Sequence, residues 1–293
     1  MGWSILENVR QIGARLPPTR HDPKVGGSVE GLPRMLAPMT NPLNDALVQR
    51  HRPALSARTA ETHAAFLLPH LAPGMALLDL GCGPGSITIG LAAAVSPGTT
   101  CGLDLEPALK DGTAGIRVLR GDAYDLPYPD ATFDAVFSCA TLQHLERPAA
   151  ALDEARRVAR TGAVIAIADA DRGDYLLAPS DPVLVRGFEI MGAMHGGTLN
   201  VGRQLRGLMS AAGLARVEVS ARAVHHGTAE EVHGFADFNA SWFTTPAIAE
   251  TVVERGWSTS DELAEISSAW RLWGACDGAF FAGFWCEALG WVD

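Results

Sequence analysis

Apolar and polar positions along this chain fall into blocks whose period switches between two and about 3.6, the two periods of strand and helix. The stretch Leu77–Ala92, LLDLGCGPGSITIGLA, shows the switch most sharply. An apolar run ends at Asp79, glycines follow at alternate positions (Gly81, Gly83, Gly85), and helical apolar spacing begins at once. A strand, a tight turn and a helix start are predicted there. Further strands are predicted over Thr99–Asp104 (TTCGLD), Ile116–Asp122 (IRVLRGD), Phe133–Cys139 (FDAVFSC), Ala163–Asp169 (AVIAIAD), Ala215–Val224 (ARVEVSARAV) and Ala279–Leu289 (AFFAGFWCEAL). Helical spacing covers Arg58–Leu71, Pro148–Arg160, Pro182–Met194 and Gly202–Ala212, the last ended by Gly213, and most of 228–276. The uniformly apolar AVIAIAD is the kind of strand buried on both faces of a parallel sheet. The pattern predicts an α/β fold.

The glycine turn carries the first chemical signal. Glycine reaches positive φ without steric cost and lets a ligand approach the backbone. The helix that follows offers unpaired N–H groups and the positive end of its dipole. A nucleotide-like ligand is expected across Gly81–Gly85. The dinucleotide fingerprint G-x-G-x-x-G fails, because Ser86 stands where its third glycine belongs. A P-loop fails as well, for want of a Gly-Lys-Ser/Thr sequence after the glycines. Asp104 lies about 20 positions past the turn, where a carboxylate can accept from both ribose hydroxyls. Taken singly, each feature has a plainer reading: a packing turn for the glycines, a helix N-cap for Asp104, a turn former for Asp122.

Asp79-Leu80-Gly81-Cys82-Gly83-Pro84-Gly85 resembles motif I of the class I S-adenosylmethionine (SAM) dependent methyltransferases. The stretch LPYPDATFDAVFSCATLQHL is similar to the matching segment of the ubiquinone/menaquinone-biosynthesis type of small-molecule methyltransferase. The resemblance covers roughly Arg58–Asp169. It implies a Rossmann-like doubly wound sheet of seven strands in the order 3-2-1-4-5-7-6, the last antiparallel, with SAM as cofactor. It also implies that Asp122 takes the adenine amino group, that the Ala123 N–H meets a ring nitrogen, and that Arg58 meets the methionine carboxylate, a solvated helix-end arginine being the alternative. The full cofactor set expected is Arg58, Asp79, Gly81, Gly83, Gly85, Asp104, Leu105, Asp122, Ala123 and Ser138.

Composition narrows the acceptor. The 293 residues carry 33 acidic and 23 basic side chains, a net charge of −10, with no basic stripe; a nucleic acid substrate is disfavoured. A small metabolite, apolar or aromatic and plausibly of secondary metabolism, is expected. No run of 18 apolar residues and no basic-then-apolar leader is present, which predicts a cytoplasmic protein not bound to membrane, monomer or homodimer. The five cysteines, Cys82, Cys101, Cys139, Cys276 and Cys286, form no C-x-x-C pair, and no histidines show metal spacing, so neither disulfide nor metal is expected.

Seven of the 18 prolines lie in residues 1–53, read as a short helix near Trp3–Leu16 followed by an irregular arm or lid. The methyltransferase domain then covers 54–293, with cap insertions at about 170–198 and 228–276. Six of the seven tryptophans fall within 242–291, and most of them are expected to pack rather than to line a pocket. Methyl transfer asks mainly for alignment and dryness, with a base where the nucleophile carries a proton. His144 is the candidate base nearest the cofactor motifs, with packing or capping as its alternative. Gln143, Asp169 and Asp171, and from the cap Tyr175, His195, His225, His226 and His233, are further candidates. A protein of this fold turned to other chemistry, such as a cyclase, a macromolecule methyltransferase, or a binding subunit with a vestigial site, remains open.

Overall fold

The computed structural model describes residues 55–195 and 200–293. The predicted arm over 1–53 and its helix near Trp3–Leu16 lie outside the described residues, as does the side chain of His195. The sheet is built from β1 (Leu77–Leu80), β2 (Thr100–Asp104), β3 (Arg117–Arg120), β4 (Phe133–Cys139), β5 (Ala159–Ala178), β6 (Ala215–His226) and β7 (Phe280–Trp291). Their order is β3-β2-β1-β4-β5-β7-β6, as expected. The pairs from β3 to β5 are parallel, and β7 is antiparallel to both β5 and β6. β1 is buried at all four positions and β4 at six of seven, so both faces of the centre are covered.

Helices cover the two faces. α1 (Ala60–His63) and α2 (Ser86–Val95) lie on one side, where Leu67, Leu77, Leu91, Phe137, Ala166 and Leu289 share a core. α3 (Pro148–Val158) and α5 (Val201–Ala211) bury Leu152, Val158, Leu205 and Met209 against Leu78, Ile165 and Ala288 on the other. Four helices, α4 (Pro182–His195), α6 (Ala229–Phe243), α7 (Pro246–Glu254) and α8 (Ser260–Gly274), build a third core of their own around Leu184, Trp242, Ile266 and Trp270. Thr228 and Glu231 form a capping box at the start of α6, and Thr259 accepts from the Glu262 N–H at the start of α8.

The structure corrects three boundaries. The helix expected over Arg58–Leu71 is only α1 and a 3₁₀ turn at Leu68–His70, because Ala64 leaves helical φ/ψ and Pro69 lacks the N–H that a continuous helix needs. The strand expected to stop at Asp122 stops at Arg120; Asp122 bridges to Asp125 instead. β5 runs from Ala159 to Ala178, not from Ala163 to Asp169, so the first segment read as insertion is strand for nine more residues. Its pairing with β7 shifts register between Asp171 and Leu176, then resumes as Leu176↔Ala282 and Ala178↔Phe280. The helical module therefore hangs on two continuous strands rather than on a loop. Leu177 and Phe281 at those strand ends pack into its core.

The tryptophans are packing residues for the most part. Trp242 and Trp270 are fully buried, and the Trp273 Nε1–H donates to the Pro179 carbonyl at 3.1 Å. Trp270 meets Phe188, Phe235 and Trp273 edge-on at 5.3, 5.6 and 5.5 Å. Trp270→Ala is expected to cost about 3–5 kcal/mol of unfolding free energy, from lost burial and the cavity left behind. Urea denaturation followed by circular dichroism measures it; a loss under about 1 kcal/mol would show that the module tolerates an empty centre.

Candidate functional site

The site begins where β1 ends. Gly81, Gly83 and Gly85 all have positive φ, at 82°, 48° and 79°. The N–H groups of Gly81 and Cys82 donate to the Leu103 carbonyl at 2.7 and 3.2 Å, which pins the turn to the end of β2. The Gly83 carbonyl accepts from Ala108 and Leu109, each at 3.1 Å. A side chain at Gly81 would strike Thr141 and one at Gly85 would strike Leu109, whereas a Cβ at Gly83 meets nothing within 4 Å. Two of the glycines are thus required by packing. The third leaves an open face above the backbone.

Asp104 holds this arrangement together. Its Oδ2 accepts from the Gly83 N–H at 2.9 Å and its Oδ1 from the Glu106 N–H at 2.9 Å. The capping reading and the ligand reading therefore meet in one carboxylate, half-buried and at the rim of the turn. Leu105 follows it and is 58% exposed, an apolar side chain standing in water at the end of a buried strand. Asp122 is exposed, its Oδ1 accepting from the Tyr124 N–H at 2.9 Å, and Ala123 beside it is buried. The ends of β1, β2 and β3 thereby bring Gly81–Gly85, Asp104, Leu105, Asp122 and Ala123 to one edge of the sheet.

Two expected residues serve the scaffold. Asp79 is buried, and the Thr88 hydroxyl donates to its Oδ2 at 2.6 Å. Burial pushes its carboxyl up to about 7; the Thr88 bond opposes this and the Asp104 charge adds to it. Ser138 is fully buried and its hydroxyl donates to the Leu80 carbonyl at 2.9 Å, so that group is spent joining β4 to β1. Arg58 lies over the Trp285 ring, its guanidinium carbon 5.2 Å from the centroid.

At the ends of β4 and β5, residues Leu142–His144 form a 3₁₀ turn. The Leu142 N–H donates to Asp169 Oδ2 at 2.9 Å. Burial lifts the Asp169 carboxyl to about 7 against the pull of the backbone N–H groups around it. Its Oδ1, and the Oε1 of buried Gln143, find no hydrogen-bond partner among the described residues. His144 is exposed at the end of this turn. The remaining candidates sit elsewhere. Tyr175 and His226 are built into the aromatic stack of the helical module, 4.6 Å from Phe188 and 4.4 Å from Phe235 respectively. His233 faces Asp237 at 3.3 Å on the exposed side of α6, and Asp171 is bound by Arg203.

Sequence reasoning missed the surroundings of Trp285. His63 meets that ring edge-on at 5.7 Å and Arg222 lies 5.8 Å above it. Burial, then the charges of Arg58 and Arg222, hold the His63 ring down at about 4. Nothing local marks either Arg222, one of several polar residues on the alternating β6, or His63.

Residues 78–167 match the family model described as "Methyltransferase domain". The chain is 29% identical to the "Probable methyltransferase ltbC" of Aspergillus luteorubrus, over 80% of this chain and 91% of that one. It is 37% identical to a "2-phytyl-1,4-naphtoquinone methyltransferase" of Synechococcus elongatus, over 50% of this chain and 64% of that one. Among solved structures it resembles a phosphoethanolamine N-methyltransferase 2 of Haemonchus contortus, held with phosphomonomethylethanolamine and S-adenosylhomocysteine. That likeness has TM-score 0.54 at 16% identity, covering 85% of this chain and 60% of that one. The YcgJ protein of Bacillus subtilis gives TM-score 0.51 at 17% identity, over 78% and 97% of the two chains. At such identities these two speak for the fold.

Two outcomes are expected. Gly83→Ala places a methyl group on the open face, where its Cβ meets no neighbour, at the cost of backbone strain at φ 48°; with folding checked by circular dichroism, ligand binding by calorimetry should fall sharply, and wild-type affinity for SAM would place the ligand elsewhere. For His63, the unfolded ring binds a proton near pH 6.5 that the folded ring refuses until about pH 4. Its contribution is full above pH 6.5 and is lost as pH falls toward 4. His63→Gln should therefore flatten the fall in urea-unfolding free energy between pH 7 and 5, and an unchanged slope would show His63 to be solvated.

Proposed function

We propose that this chain, a SAM-dependent methyltransferase, moves the methyl group to a small acceptor with an apolar or aromatic body, and that its helical module covers that acceptor. One observation carries the cofactor reading: the one glycine of the Gly81–Gly85 turn with nothing above it, Gly83, lies between Asp104 and the start of α2. The residues present fit the cofactor. Asp104 would hold the ribose hydroxyls, at the rim of a turn whose other side chains are excluded by packing. Leu105, exposed and apolar, would cover one face of the adenine; Asp122 and the Ala123 N–H would meet its edge; Arg58 would meet the amino-acid carboxylate. When bound, SAM supplies an electrophilic methyl group on a sulfonium.

The protein's part is then positioning and exclusion of water. Leu142–His144 stands at the ends of β4 and β5, beside the turn, and His144, exposed there, would take a proton from an O–H or N–H nucleophile. The acidic surface charge and the names of the quinone methyltransferase relatives support an uncharged, flat body for the acceptor. The aromatic side chains of the module suit the same body.

The test has two readings. Asp104→Ala removes the acceptor of two ligand hydroxyls and a tie to Gly83; a charged hydrogen bond contributes about 1.5–3 kcal/mol, so SAM affinity should fall about tenfold or more. Formation of S-adenosylhomocysteine against a panel of hydroquinones, phenols and amines then reads the transfer itself. SAM binding with no S-adenosylhomocysteine formed on any acceptor, while the protein converts one of them by another route, would assign the fold to non-methylating chemistry. An unchanged SAM affinity in Asp104→Ala would leave that carboxylate a purely structural tie.

A further inference from the structure

Five glycines lie inside the strands of the described residues, and the fold accounts for four of them. Gly162 takes a φ of 84°, which favours glycine. A Cβ at Gly102 would press on the Cys82 side chain, one at Gly173 on Asn200 and Arg203, and one at Gly290 on Leu214 and Met209. Gly283, in β7, has neither reason. Its φ lies outside the left-handed region, and a Cβ there would meet only the edge of the Phe281 ring, at an ordinary 3.5 Å. A glycine inside a strand gives up packing and stiffness, and often marks the close approach of a ligand or of another backbone. Among the described residues, no backbone lies within 4 Å of that Cβ position.

The register places Gly283 on a definite surface. Trp285 pairs with Arg222, Gly283 with Val224 and Phe281 with His226, so these positions share one face of β6 and β7. On β5, Ala170 pairs with Trp285 and Leu177 with Phe281, and the ladder between them is broken opposite Gly283. Trp285 and Phe281 stand four residues apart, about 13 Å along the strand. Val224, beside the gap, is 40% exposed. The result is a notch with a backbone floor. Trp285 closes one end, and Phe281, with Tyr175 stacked on it at 5.9 Å, closes the other.

Contacts join this notch to the glycine turn. Ser86, the first residue of α2, donates its hydroxyl to the Leu55 carbonyl at 2.9 Å, and the same carbonyl accepts from the Arg58 N–H at 3.2 Å. The Arg58 guanidinium lies over the Trp285 ring, and Trp285 shares a buried cluster with Cys139 and Ala168 of β4 and β5. The far end joins the helical module, where Phe281 stacks on Phe235 at 4.4 Å. The notch thus runs from the arginine given above to the SAM carboxylate as far as the aromatic residues of the module. Its walls are aromatic and aliphatic, which selects an apolar occupant. Between walls of this kind a ring gains offset or edge-to-face contacts that a saturated body lacks.

We infer that the notch over Gly283 seats an aromatic ring of the methyl acceptor, and that the missing side chain at this position sets which acceptors enter. The inference rests on the proposed methyl transfer and deepens it, from an apolar or aromatic body to a flat ring held between Trp285 and Phe281.

The experiment is calorimetry on the full chain saturated with S-adenosylhomocysteine, with 1-naphthol and decahydro-1-naphthol as probes, the flat and puckered forms of one skeleton. 1-Naphthol should bind about tenfold or more tightly than its saturated counterpart. Gly283→Val places a branched side chain in the notch and should weaken 1-naphthol binding about tenfold or more, with S-adenosylhomocysteine affinity unchanged. Gly283→Ala adds one carbon at ordinary contact with Phe281 and should lose less, about threefold. Circular dichroism and the urea midpoint check that the variants fold; if the valine variant does not, the alanine variant decides. Equal binding of the two probes, or no binding of 1-naphthol by the wild-type chain, overturns the inference. Wild-type affinity for 1-naphthol in Gly283→Val overturns it also, by placing the ring elsewhere, as does weakened S-adenosylhomocysteine binding, by assigning the notch to the cofactor. If the wild-type chain takes up no S-adenosylhomocysteine, the methyl-transfer reading fails on its own account, and titration of 1-naphthol into the free wild-type and variant chains still decides Gly283.

Discussion

The pairing of β5 with β7 is the constraint on which the placement of the helical module depends. It runs from Val164↔Trp291 to Ala178↔Phe280, interrupted once. The first part lies within the sheet and is buried on both faces. The second part, with β6 still paired to β7 as far as His226↔Phe281, reaches the helical module, where Leu177 and Phe281 pack against its core. An antiparallel strand inserted between β5 and β6 makes this possible, since both strands can run past the sheet edge while satisfying each other's backbone groups. The module is thereby fixed to the site by paired backbone. Its position relative to the ends of β4 and β5 is set by ladder geometry, not by a loop.

The interruption in that ladder explains why the sequence was legible on one side of Asp169 and not on the other. AVIAIAD is apolar at every position a buried strand requires. The next residues, Asp171-Arg172-Gly173-Asp174-Tyr175, carry charge and glycine, the composition of a break. They stay extended because Arg203, 32 positions away, closes on Asp171 from α5, with Asn200 filling the space that Gly173 leaves. No local period encodes a partner supplied by another helix. The same reason hid the aromatic environment of His63. The glycine turn was legible because its geometry is local: Gly81, Gly83 and Gly85 all take positive φ, and Asp104 sits at the next strand end. Ser138 and Asp79 show the limit of a motif. Its spacing names the residue, and only the surroundings reveal that one hydroxyl joins two strands and one carboxyl takes the Thr88 bond beneath the turn.

Buried carboxyls and a buried imidazole near one sheet edge pull the stability in opposite directions with pH. Asp79 and Asp169 have folded values near 7, above the ordinary carboxylate value, so the stability they confer is full below about pH 4 and is lost as pH rises through 7. His63, held near 4, contributes fully above pH 6.5 and loses its contribution as pH falls. Between those limits the terms oppose one another, and the fold keeps two costly acids at the ends of β1 and β5. Packing alone gives no reason for them. Asp79 shapes the floor of the glycine turn through Thr88, and Asp169 shapes the Leu142–His144 turn through its N–H bonds. Each acid therefore organises one of two neighbouring turns at the strand ends, Asp79 the glycine turn and Asp169 the Leu142–His144 turn.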